Sequence, residues 1–176
     1  MTTLFKSAKV KLDTLISFEE LILKNNPSIC LYRRFYRLTK FIKSKQRRKI
    51  FIYLIRQRFN QDYNERCEKV IQCSRSYTKD DILHKSVNTL NYLNKALSYT
   101  DKSSKSLLMN LLDVEISKKK YFKSELRKDI LIKEKFEKFD IHDISKQKDS
   151  KALSLTSYRD FERTLMMLNE SSNLCL

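Results

Sequence analysis

The chain has no glycine and a single proline, Pro27, in 176 residues. Tight hairpin turns draw on glycine for positive φ and on proline for a preset φ, so most sheet-and-hairpin architectures are removed at once. The same absence removes chemistry built on a glycine loop. P-loops, dinucleotide fingerprints and nucleophile elbows all need glycine where the backbone turns sharply or approaches a ligand. Leu, Ile, Lys, Arg, Glu, Ser and Asn dominate the remainder. The expectation is an all-α protein, with length for one domain or two small ones.

The net charge is +16, with a sequence pI of about 9.7. It is distributed unevenly. Residues 1–60 hold 15 Lys or Arg against three acids (Asp13, Glu19, Glu20), a balance of +12, and the remaining residues carry only +4. From Arg33 to Arg58 there are eleven bases and no acid. Like charges at helical spacing repel, so such a run calls for an anionic partner. An acidic protein, RNA phosphates and anionic lipid all qualify. Taken alone, the cluster points first to nucleic acid, and the alternation Arg34-Phe35-Tyr36-Arg37 is compatible with base stacking on RNA.

Four cysteines (Cys30, Cys67, Cys73, Cys175) contain no Cys-x-x-Cys pair, and the histidines are His84 and His142 only. That is poor material for a metal centre, and the thiols read as reduced and incidental. The longest apolar run, Ile50 to Ile55, is far short of the roughly 20 residues that span a bilayer. Residues 1–12 contain Lys6, Lys9 and Lys11 and no acid, interleaved with Leu4, Phe5, Val10 and Leu12. Two readings stand for them: a mitochondrial targeting segment, or the start of a surface helix.

Helical periodicity organises the rest. Residues 4–24 carry Leu4, Leu12, Leu15, Ile16, Ile22 and Leu23 at helical spacing. Asn26-Pro27 marks a boundary, with Asn26 placed to cap and Pro27 at the first helical position. The next helix is expected over 27–43, with Leu31, Phe35, Leu38 and Ile42 on one stripe and Arg33, Arg37 and Lys40 opposite. After a turn at Lys43–Gln46, a helix over about 46–60 buries Phe51, Leu54, Ile55 and Phe59 and turns Lys49 and Arg56 outward. The polar stretch 61–76 either extends it or forms a short helix of its own. Thr78 and Asp81 form a capping box for a helix ending near Thr100, with Leu83, Val87, Leu90 and Leu97 on its stripe.

A shift of 77 residues places Leu108 on Leu31, Leu112 on Phe35, Leu131 on Leu54, Ile132 on Ile55, Lys133 on Arg56 and Phe136 on Phe59. A polar stretch (140–150) and an apolar helix (Leu153, Tyr158, Phe161, Leu165, Leu168) follow. Residues 103–170 are therefore either a diverged second copy of the first plan or a plain helical extension. The division expected is 1–26 as N-terminal helix or targeting segment, 27–100 as the main domain and 101–176 as the C-terminal region.

Leu31-Tyr32-Arg33, the basic helix it opens, and the distal Ile55-Arg56-Gln57-Arg58-Phe59 together resemble the LYR-motif (complex 1 LYR-like) family. The resemblance covers 27–100. It implies an antiparallel three-helix bundle, within an all-α fold, that serves as a mitochondrial adaptor. Such an adaptor holds acylated acyl carrier protein against a larger assembly. By that resemblance, Leu31, Tyr32, Arg33, Arg34, Arg37, Arg47, Arg48 and Arg56 dock the acidic carrier protein. Phe35, Leu38, Phe51, Leu54, Ile55, Phe59, Leu83, Val87 and Leu90 would line a groove for its acyl chain, each buried CH₂ worth about 0.8 kcal/mol. The chain would bring no cofactor of its own, the acyl-phosphopantetheine coming from its partner. The expected client is a respiratory complex such as complex I, in the mitochondrial matrix. The alternatives are a mitochondrial ribosome protein touching RNA through its basic face, and an adaptor of the iron–sulfur cysteine desulfurase. With no glycine loop, no metal cluster and no His-paired nucleophile recognisable, no enzymatic activity is expected.

Overall fold

The structure is a computed structural model and describes residues 16–73, 75–98, 102–128 and 152–176. Residues 1–12, Leu131, Ile132, Lys133, Phe136 and the polar stretch 140–150 lie outside them. Regular structure among the described residues is helical, as the missing glycine requires. The helices are α1 (Phe18–Ile22), α2 (Pro27–Leu38), α3 (Lys45–Asn60), α4 (Tyr63–Ile71), α5 (Lys79–Leu97), α6 (Lys102–Lys128) and α7 (Ala152–Ser171).

Local signals set most of the boundaries. Pro27 opens α2, where its missing N–H costs nothing. Asn26 holds the cap position, but its side chain makes no capping hydrogen bond. The helix stops at Leu38, earlier than its apolar stripe predicts. The Thr39 hydroxyl donates to the Tyr36 carbonyl at 2.7 Å, and the chain tightens into a 3₁₀ turn over Thr39–Phe41. Ile42, the last member of the stripe, is still fully buried. Ser44 then caps α3 by accepting from the Arg47 N–H. The stretch 61–76 forms a separate helix, α4. Asp62 caps it, Gln72 in the left-handed conformation (φ 53°) ends it, and the Asn64 side chain clips both backbone polar groups of Tyr77. The Thr78–Asp81 capping box at the start of α5 forms as the sequence predicts.

Helix α2 packs on α3 and α5, α5 on α6, and α6 on α3, so these four close a ring around one core. The core runs from Ile16 through Leu31, Leu38, Leu54 and Leu90 to Leu112 and Leu165. Fully burying a side chain of this kind is worth about 1.5–3 kcal/mol, which makes this ring the main source of cohesion. The expected three-helix bundle is thereby widened. Leu108, Leu111 and Leu112 put an apolar stripe on α6, which packs against α3 and α5. Nor does α6 repeat the elbow between α2 and α3. It passes unbroken through 118–121, the positions a 77-residue shift would equate with that elbow. Helix α7 lies on α4, where Tyr63, Cys67 and Met166 form a second, smaller cluster. No described helix is long and apolar enough to cross a membrane.

Candidate functional site

The acid-free segment supplies the outer surface of α2 and α3. Seven of its eleven bases are exposed: Arg33, Arg37, Lys40, Lys43, Lys45, Lys49 and Arg56. The other four turn inward. Arg47 makes a two-pronged contact with Asp113 on α6, at 2.8 and 2.6 Å. That contact pushes the guanidinium pKa up and the carboxyl pKa down. Arg48 donates twice to the Ile42 carbonyl and braces the elbow. Arg34 is half-buried, and Arg58 points into the interior. Arg47 and Arg48 therefore serve contacts within the fold while remaining half-buried.

Beside the exposed bases runs an aromatic ladder. Tyr36 stacks on Tyr32 (centroids 6.4 Å), Tyr32 meets Phe59 edge-on at 5.4 Å, and Phe59 meets Phe35 at 5.8 Å. Phe35 is core, but Tyr36 is 45% exposed and Phe59 37% exposed. Successive i, i+4 steps drift by about 40°, so a row that starts at Phe51 reaches the edge of the buried stripe by Phe59. Arg33 lies one turn before Tyr36 on α2, and Arg56 one turn before Phe59 on α3. Cationic groups and flat aromatic faces thus share one surface.

Beneath that surface lies a chamber of about 370 Å³. Of the residues expected to line a groove, Phe35, Phe51, Leu54, Ile55, Phe59 and Leu83 border it, and so does Leu31. Leu38, Val87 and Leu90 do not; they are fully packed in the core. Three polar lining groups escape the sequence reading: Arg58, Arg66 and Glu115. Each interrupts an apolar stripe at helical spacing: Arg58 follows Phe51, Leu54 and Ile55, Arg66 follows Tyr63, and Glu115 follows Leu108, Leu111 and Leu112. That interruption was the available signal. Burial, with the nearby Arg66 charge, lowers the Arg58 pKa to about 10, so it still carries its charge at neutral pH.

A polar hub joins α4, α5 and α7. The Glu170 carboxylate accepts from the hydroxyls of Tyr63 and Tyr77 and from Lys85 Nζ at 3.2 Å. Lys85 is 4% exposed and lies over both tyrosine rings. Burial works against the Glu170 charge, but these donors outweigh it and hold its pKa below the usual range. Burial pushes the neighbouring Cys67 thiol up to about 12, away from thiolate reactivity. Among the described residues, no group of three His, Cys, Asp or Glu side chains is placed to hold a metal.

A family model described as "Increased recombination centres protein 19" matches residues 2–176. The chain is also similar to a Komagataella phaffii (strain GS115 / ATCC 20864) protein named "Increased recombination centers protein 19". The two are 29% identical over 181 residues, covering 89% of each chain. No solved structure matches. These findings correct the LYR-motif resemblance and the carrier-protein adaptor, respiratory-complex and alternative client roles drawn from it. The physical reason is visible in α2. Leu31 is core, Tyr32 an aromatic contact and Arg33 solvent-facing, as in any basic amphipathic helix. The acyl-phosphopantetheine group and the matrix location follow from that resemblance alone.

Proposed function

We propose, for a chain that belongs to the increased recombination centres protein 19 family, a non-catalytic role in binding single-stranded nucleic acid. The contact surface is the outer face of α2 and α3. The observation that carries the reading is the Tyr36–Tyr32–Phe59 ladder, exposed at Tyr36 and Phe59, on the same two helices as the exposed Arg33, Arg37 and Arg56. Bases draw in phosphates whatever the sequence, and aromatic faces stack on unpaired bases. Duplex DNA keeps its bases stacked inside, so a ladder of this kind favours an open strand. The word recombination in the name of the relative and of the family favours DNA as that strand. Support for a non-catalytic role comes from the high Cys67 pKa and from His84, which is exposed and packs edge-on against Phe18.

Electrophoretic mobility shift with an oligonucleotide as single-stranded DNA, as duplex DNA and as single-stranded RNA tests this. The expected order places single-stranded DNA first and the duplex well behind. Equal retardation of strand and duplex would reduce the surface to a nonspecific phosphate binder, and no retardation would remove the proposal.

A further inference from the structure

The chamber under the aromatic ladder has a polarity of its own. Its inner wall is hydrocarbon, from Leu31, Phe35 and Leu54 to Leu93, Leu108 and Leu111. Its mouth is marked by exposed Gln61, Asp62 and Lys79, where the α3–α4 turn meets the start of α5. Between wall and mouth sit the two inward arginines. Arg58 Nε is sequestered from solvent and has no hydrogen-bond partner within the protein. Arg66 is 8% exposed, and its Nη1 donates to the Leu176 oxygen at 3.1 Å. The charged lining side chains are Arg58, Arg66 and Lys79 against Asp62 and Glu115, and Leu176, whose oxygen Arg66 meets, lines the chamber as well. Glu115 lies near enough to favour the Arg58 charge, and Lys118, 4.0 Å from Glu115, is bonded to Glu162. A buried donor left unmatched calls for an acceptor that the folded chain does not supply. The volume falls within the range of small-molecule pockets, roughly 300–1,000 Å³.

We propose that the chamber binds a small anionic amphiphile, a carboxylate on an apolar body, with the hydrocarbon against the leucine wall and the carboxylate on Arg58 and Arg66. Arginine suits that head group because its fixed fork of N–H donors matches the two carboxylate oxygens. The outer arginines Arg33, Arg37 and Arg56 do not line the chamber, so its anion contact is separate from theirs, although Phe59 borders both surfaces.

The probe is decanoate, titrated calorimetrically into the full chain below its aggregation concentration, beside decanol and decylamine. Decanoate is expected to bind one-to-one, with decanol about tenfold or more weaker because it cannot form charge-assisted bonds. Decylamine should not bind. Arg58→Met should erase the preference for decanoate over decanol, and it removes an unmatched buried donor, so the fold should hold. Leu111→Trp, which fills the apolar end, should abolish binding of both alcohol and acid. Arg33→Ala should leave decanoate affinity unchanged while weakening nucleic acid. The proposal is overturned if decanoate does not bind, if decanol binds as tightly, or if Arg58→Met binds decanoate unchanged. A loss of decanoate binding in Arg33→Ala would place the anion on the outer face and equally overturn it.

Discussion

Several interior side chains carry polar groups, and they differ in whether those groups are matched. Asn94 is 4% exposed, and neither polar atom of its amide has a partner within the protein. Replacing it with Leu, of similar shape, should stabilise the fold by about 1 kcal/mol, since a buried unmatched amide costs more than a hydrocarbon. A urea midpoint that rises with unchanged slope would show this; a fall would mean that the amide is served by water. Glu170 is the opposite case. Its folded pKa lies below that of an unfolded Glu, about 4.3. The folded state therefore holds the proton less tightly. The hub's contribution is complete above about pH 4.3 and is lost as pH falls through the lower folded value. Glu170→Gln should cost on the order of 2 kcal/mol at pH 7, less than for a fully buried pair because Glu170 keeps some solvent contact. It should also flatten the acid limb of stability against pH. An unchanged acid limb in urea titrations would discount the hub.

At the scale of the element, the readable features were the ones written locally. Pro27 and the Thr78–Asp81 box announce their helices within four residues, and both hold in the structure. Thr78→Ala should cost about 1 kcal/mol, read as a lowered thermal midpoint. A midpoint unmoved by the change would mean that packing alone fixes the start of α5. The end of α2 was not legible, because the Thr39 hydroxyl's reach for the Tyr36 carbonyl competes with a helical pattern that its side chains favour. The side of α3 was half legible. Phe51, Leu54 and Ile55 mark the buried stripe, but Arg58 lies on that stripe too, and a count of bases treats it as surface. Whether a polar residue on an apolar stripe is accommodated by a cavity depends on the neighbouring helices, which sequence periodicity does not name.

At the scale of the molecule, composition gave the class and left the arrangement open. An all-helical fold follows from the absent glycine, but the ring of α2, α3, α5 and α6 depends on which stripes find each other across long separations in sequence. The charge asymmetry survives folding in reduced form, since Arg47, Arg48 and Arg58 are drawn into contacts or interior. The exposed remainder, Arg33 to Arg56, still gives one face a concentrated positive field next to flat aromatic rings.

The most direct test of that face is fluorescence anisotropy of a labelled single-stranded DNA oligonucleotide, titrated at several salt concentrations with wild type, Tyr36→Ala and Arg33→Ala. With four to seven phosphates met, the log-log salt slope should lie at about −3 to −5, on the single-strand value of roughly −0.7 per contact. Tyr36→Ala should weaken binding by about 1–3 kcal/mol and leave the slope in place, because stacking releases no counterions. Arg33→Ala should make the slope shallower by about 0.7. Equal affinity for wild type and Tyr36→Ala, with a slope that Arg33→Ala does not move, would contradict the assignment of this surface to nucleic acid.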